Sequence, residues 1–309
     1  MRIPTAVLLL VGLAAVAPAQ QAPPVFFSVP PADAPELAPR GSYQVGVRTV
    51  NLVHPRQIDI LHFNKETGKA PIYNRPLWVE IWYPAVIPPD QQERTTYEMP
   101  VPGGHGFAGA SVFPIPGKAL RDARAITGKQ FPLVVVSHGY PGSRYFLSYL
   151  TANLASKGYV VAAIDHTDSG FDATRGFEST LLNRSNDQLF TIETLDRMAR
   201  RPDDFLYGVA DMSNVAIVGY SMGGYGAITS AGAGYSESSG LMKFVPGGYL
   251  RDWAADSTKF RSVDRSRIKA VVAIAPWGGQ PPYSAWDAAE LAAIHIPMLF
   301  IAGDHDDVA

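Results

Sequence analysis

The chain has 309 residues, 26 Lys and Arg against 28 Asp and Glu for a net charge of −2, and 47% hydrophobic residues. That balance excludes a disordered chain and gives no electrostatic reason to expect a nucleic-acid partner. With 0 cysteines, disulfides, thiolate metal sites and a cysteine nucleophile are excluded together, and the length suits one enzyme-sized α/β domain.

Residues 1–19 read as a signal peptide. Arg2 supplies the positive start, residues 6–16 (AVLLLVGLAAV) form an apolar run too short to span a bilayer, and Ala17-Pro18-Ala19 offers small residues for cleavage. The protein is therefore expected to be exported, periplasmic or secreted, after cleavage near Ala19, with no integral membrane span left. Residues 20–42, rich in Pro and Ala and without helical or strand period, read as a tail. Residues 43–53 (YQVGVRTVNLV) and 77–83 (LWVEIWY) alternate as strands, the second ended by Pro84. Residues 87–130 are dense in Pro and Gly and read as long surface excursions.

A different pattern follows. Apolar runs at 133–137 (LVVVS), 159–164 (YVVAAI), 215–218, 268–274 (IKAVVAI) and 298–301 (MLFI) predict buried strands. Helices are expected between them: at 144–157, stopped by Gly158; at 183–200, with Leu189, Phe190, Ile192, Leu195 and Met198 in helical period; and from Met222. Such runs, separated by helices, describe a mostly parallel sheet with helices on both faces, here one α/β domain over residues 43–309.

Gly219-Tyr220-Ser221-Met222-Gly223 is a G-x-S-x-G pentapeptide lying between a predicted strand and a helix of small residues. In that setting the serine sits on a sharp turn that presents its hydroxyl, and the turn leaves no room for Cβ atoms at its glycines. Met222 then offers its N–H where a helix start favours negative charge. A second oxyanion donor must come from another strand's loop. The loop His138-Gly139-Tyr140-Pro141-Gly142 follows 133–137; Pro141 has no N–H, so Tyr140 is the expected donor, and its ring is a candidate wall of the acyl pocket.

The chain resembles the serine α/β-hydrolases related to platelet-activating factor acetylhydrolase and to bacterial dienelactone-hydrolase-like esterases. The resemblance rests on LWVEIWYPA at 77–85, PLVVVSHGYPGSR at 132–144, KGYVVAAIDHTDS at 157–169 and NVAIVGYSMGG at 214–224. It implies the α/β-hydrolase fold, a Ser-His-Asp triad, hydrolysis of small-molecule or lipid-like carboxylic esters, and no cofactor. By position it makes Ser221 the nucleophile, with Tyr140 and Met222 supplying the oxyanion hole. The chain departs from true dienelactone hydrolases, whose nucleophile is a cysteine. It departs from the acetylhydrolases too, since Ala275-Pro276-Trp277-Gly278-Gly279 lacks the acid that follows that strand in the family.

The acid is therefore expected in Gly303-Asp304-His305-Asp306-Asp307. A Gly-x-x-Asp turn carries the acid in many α/β-hydrolases, which selects Asp306; Asp304 is the alternative, better suited to bonding its own turn. The same cluster is dense in metal-ligand types, but adjacent side chains rarely point the same way. His54, His62, His105 and His295 read as ordinary strand or loop histidines, and His138 and His166 as structural ones beside the site. All seven histidines precede Asp306, whereas the order in this fold is Ser, acid, His. His305, flanking Asp306, is poorly placed to reach Ser221 as well. The expectation is a domain that is C-terminally incomplete, truncated before its last strand and catalytic His. The expected function is a serine esterase acting through an acyl-enzyme at Ser221; an acyltransferase using the same machinery and a non-catalytic binding protein of this fold are the alternatives.

Overall fold

The computed structural model describes residues 39–102, 110–171, 176–306 and 308; the expected signal peptide, most of the tail and His105 lie outside them. In chain order the elements begin with β1 (Gln44–Ile58), β2 (Ile72–Val86), β3 (Thr95–Pro102), β4 (Ala110–Gly117), β5 (Leu120–Arg121), β6 (Arg124–Ala125) and β7 (Phe131–Ser137). There follow α1 (Ser148–Ser156), β8 (Val160–Asp165), α2 (Phe177–Ala199), β9 (Ala210–Tyr220), α3 (Met222–Ala231), α4 (Thr258–Ser262), β10 (Ile268–Ile274), α5 (Ala288–Ala292) and β11 (Met298–Ile301).

The buried apolar runs of β7 and β8 lie in the middle of the main sheet, as expected of strands covered on both faces. β8, β7, β9, β10 and β11 pair in that order, all parallel. β2 joins antiparallel to β8, and β1 antiparallel to β2. One core cluster gathers Leu77, Val79, Ile81, Leu133, Val135, Ile164, Leu195 and Ile217 against α2 and α3; another, with Trp82, Val134, Val136 and Ala155, lies on the α1 side. This is the α/β-hydrolase architecture: a mostly parallel sheet with helices on both faces.

Several boundaries differ from those expected. Pro84 does not end β2, which runs on to Val86. The carbonyl of Pro84 accepts from Ile126 N–H, so its nitrogen faces the same side, where pairing with β8 has already stopped at Trp82–Val161. β6 takes over as partner there from Ala85–Ala125, so Pro84 falls at the junction between two partner strands, where one missing donor is tolerated. Residues 87–130 are not all excursion either: β3 and β4 form a two-stranded ribbon. Its prolines, Pro100, Pro102, Pro114 and Pro116, all fall on alternate register pairs, leaving the other pairs to carry the ladder. The opposite parity, Tyr97, Met99 and Ile115, is buried, with Trp82 Nε1–H donating to Tyr97 OH at 2.7 Å.

α1 starts four residues later than 144, because the Ser143 carbonyl and hydroxyl hold Phe146 and Tyr145 in a separate turn. It ends as expected: Gly158, at φ 96°, takes the left-handed position and donates to Ala155 O. Among the described residues no helix is long and apolar enough to cross a membrane.

Candidate active site

β9 delivers the chain to Ser221, which adopts φ 50°, ψ −115° before α3 begins at Met222. A non-glycine residue held there carries about 1–3 kcal/mol of backbone strain. Neighbouring bonds hold it: Ser221 N–H donates to Ile274 O at 2.9 Å, and its carbonyl accepts from Tyr225 N–H at 3.0 Å and Trp277 N–H at 3.1 Å. The flanking glycines are required by space. A Cβ on Gly219 would stand 2.2 Å from Gly223 O, and one on Gly223 only 1.9 Å from Ser137 O.

Met222 occupies the first position of the ten-residue α3, where N–H groups are unpaired within the helix and the dipole is positive. The loop after β7 lies alongside: a Cβ on Gly139 would be 3.3 Å from the Ser221 Cβ. Ser221, Met222 and the segment bearing Tyr140 are thus brought together at the carboxyl edge of the parallel strands, where open α/β sheets bind ligands. An aromatic wall continues from the half-buried Tyr140. Its ring meets Phe177 edge-on at 5.2 Å, Phe177 meets Trp277 at 5.1 Å, and Trp277 meets Tyr283 at 4.7 Å. Burial pushes the Tyr140 hydroxyl above its ordinary pKa, so it stays protonated at neutral pH.

Asp306 follows β11 at the same edge of the sheet. One of its carboxylate oxygens accepts from Val308 N–H at 3.0 Å, and Gln280, in the loop after β10, donates to Val308 O at 2.8 Å. Asp304 and His305 are solvent-exposed side chains 3.9 Å apart. Among the described residues no three His, Asp or Glu side chains converge in a way that could hold a metal ion.

No described histidine is hydrogen-bonded to the Ser221 hydroxyl. His54 stacks on Phe190 with ring centroids 3.9 Å apart, His62 bonds Asp59, and His295 is exposed. His138 is buried; its Nδ1 bonds Gly139 O at 2.7 Å and its Nε2 accepts from His166 N–H at 3.2 Å. Burial first, and then the Arg184 charge, hold its pKa well below the ordinary value, so the ring is neutral with both nitrogens engaged. It has no free nitrogen for a serine.

A second Ser-His-Asp constellation is not apparent in the sequence. Ser137 Oγ bonds His166 Nε2 at 2.8 Å, and His166 Nδ1 bonds Asp187 Oδ2 at 3.0 Å. Arg75 grips Asp187 with two bonds, at 2.9 and 3.0 Å, and reaches Asp168, Tyr73 and the Thr167 carbonyl. Its spacing imitates a catalytic triad, but Ser137, Asp187 and Arg75 are at most 1% exposed and His166 only 2%. No ester can reach that serine, so the network is a buried strut beneath the 138–142 loop. One signal does point to it: Arg184, Asp187, Gln188 and Thr191 place a polar stripe at helical spacing on the inward face of α2, where apolar residues are the rule.

A family profile described as platelet-activating factor acetylhydrolase, isoform II, matches residues 115–200, which include the 138–142 loop and stop short of Ser221. The platelet-activating factor acetylhydrolase of Canis lupus familiaris is 44% identical over 52 residues, 17% of this chain and 12% of that one. The Bos taurus protein of the same name is 32% identical over 80 residues, 26% and 18% of the two chains. That of Cavia porcellus is 27% identical over 135 residues, covering 32% and 31%. Each match thus spans less than a third of the relative's length. A solved ferulic acid esterase from Streptomyces cinnamoneus superposes with a TM-score of 0.49 at 22% identity, covering 85% of this chain and 66% of its own. The strand order and helix layers described above are those of the α/β-hydrolase fold, and over residues 115–200 the chain is similar to the platelet-activating factor acetylhydrolases.

Proposed function

We propose that the protein is an exported serine hydrolase of carboxylic esters, working through an acyl-enzyme at Ser221. The observation that carries this reading is the strained backbone of Ser221, held between β9 and α3 with the Gly139 loop against it. In the reaction, Ser221 Oγ adds to the ester carbonyl carbon and passes its proton to a histidine base. The developing oxyanion is met by the N–H groups of Met222 and Tyr140. The alcohol departs with the transferred proton, and water then releases the acid from the serine. Asp306, whose carboxylate lies after β11, is the acid we assign to orient that base. The aromatic wall of Tyr140, Phe177 and Trp277 suits an apolar acyl or aryl group, hence a small-molecule or lipid-like ester.

A fluorophosphonate label and an aryl-ester assay on the full-length protein test this together. The label is expected on Ser221, and Ser221→Ala is expected to lose on the order of 10⁶-fold in turnover. Near-wild-type turnover in the alanine variant would assign another serine. A wild-type protein that neither labels nor turns over is a binding module. Full turnover by Asp306→Asn would take the acid role away from Asp306.

A further inference from the structure

Helix α2 carries a buried cation that the reaction above does not use. Arg184 is 0% exposed, and its Nε has no hydrogen-bond partner. The carboxylate one turn along the helix, Asp187, is engaged by Arg75 and His166. Burial lowers the Arg184 pKa to about 9, which still leaves it charged at neutral pH. A buried guanidinium without its own carboxylate is costly, and a neutral side chain would pack there at less expense.

Its bonds go to the loop beside Ser221. Nη1–H donates to His138 O at 2.7 Å, and Nη2–H makes a long contact of 3.5 Å to Gly139 O, which also accepts from His138 Nδ1 at 2.7 Å. Two successive carbonyls therefore turn toward one cation. The Gly139–Tyr140 peptide bond is trans, so its N–H points opposite to its C=O. Drawing the Gly139 carbonyl toward Arg184 turns the Tyr140 N–H away from α2. The same helix also holds the other donor: Gln188 Nε2–H donates to Gly223 O at 3.0 Å and Ser185 Oγ–H to Gly226 O at 3.2 Å, both on α3 behind Met222. Gly226 leaves the passage that Arg184 threads, since a Cβ there would stand 2.5 Å from Arg184 Cγ.

We propose that Arg184 is a positioning residue for the oxyanion hole. It fixes the Gly139–Tyr140 peptide plane so that the Tyr140 N–H faces the carbonyl attacked by Ser221, and it places a positive charge behind that donor. This rests on Ser221 being the nucleophile.

The test uses the full-length protein and an aryl ester, with reactive sites counted by the fluorophosphonate so that kcat is expressed per active serine. Arg184→Met is expected to lower kcat about 10- to 100-fold with KM within about twofold, the loss typical of a displaced or missing donor. A trifluoromethyl ketone, which forms a tetrahedral adduct with the serine, should weaken by the same factor, and Arg184→Lys should recover most of the rate. If Arg184→Met does not fold, Gly226→Ala keeps the charge but pushes the side chain aside, and is read in the same way. Wild-type kcat per titrated site, whatever the thermal stability, overturns the proposal and leaves Arg184 a structural residue. Failure of the wild-type protein to label at Ser221 instead removes the nucleophile reading on which it stands.

Discussion

Gly223→Ala puts the steric argument for the Ser221 turn at risk. A Cβ there would lie 1.9 Å from Ser137 O, 2.6 Å from the Ser137 carbonyl carbon and 2.9 Å from His138 O, against a floor of about 3.0 Å for real Cβ contacts. About 1.1 Å (3.0 − 1.9) must open between the start of α3 and the end of β7. β7 is the stiffer side: Ser137 pairs with Ile164 on one flank and Gly219 on the other, and its hydroxyl is bonded to His166. The turn therefore yields, carrying Ser221 and the Met222 N–H with it. A misplacement of about 1 Å at a reacting group costs about 10²-fold in rate, and overpacking a tight site costs about 1–3 kcal/mol. The second-order rate of fluorophosphonate labelling reads the first effect and the urea midpoint the second. Gly279→Ala is the control: no heavy atom lies within 4 Å of a Cβ there, so its stability should stay within about 0.5 kcal/mol of wild type. A Gly223→Ala protein that labels at the wild-type rate with an unchanged midpoint would refute the reasoning.

Arg75→Met leaves the Asp187 carboxylate buried with its main cation removed; the expected loss is about 3–5 kcal/mol by urea unfolding, and a loss under about 1 kcal/mol would show that the strut is dispensable. Burial lowers the pKa of His54 from 6.5 to about 4, so between those pH values the unfolded chain takes up a proton that the folded chain refuses. The stability from this group is present above pH 6.5 and falls away as pH drops through the window; His54→Phe should flatten that limb of midpoint against pH, and an unchanged slope would rule His54 out.

Chemistry that lies close together along the chain is legible in the residues alone. The turn at Ser221, with the strand before it, the helix after it and its close-packed glycines, lies within the consecutive residues 210–231, and local sterics alone dictate its form. The parallel strands are equally plain, because burial on both faces demands unbroken apolar runs. Proline misleads: Pro84 and the ribbon prolines look like breaks, since whether a missing N–H matters depends on which side the neighbouring strand lies. The histidines are still less readable singly. His138 spends both ring nitrogens on backbone groups, and His166 bonds a serine sealed from solvent, facts that only the folded chain shows.

By itself the sequence determined the nucleophile candidate, the parallel strands with the helices α1, α2 and α3 among them, and the loop expected to furnish the second oxyanion donor. Only the tertiary structure decided that Arg75, Ser137, His166 and Asp187 form one buried network, and that Arg184 reaches across to the carbonyls of His138 and Gly139. Those residues are up to 112 positions apart. Contacts at that separation exist only once the sheet has assembled, because it is the packing of α2 on β7, β9 and α3 that removes water from these groups and leaves them no partners but one another.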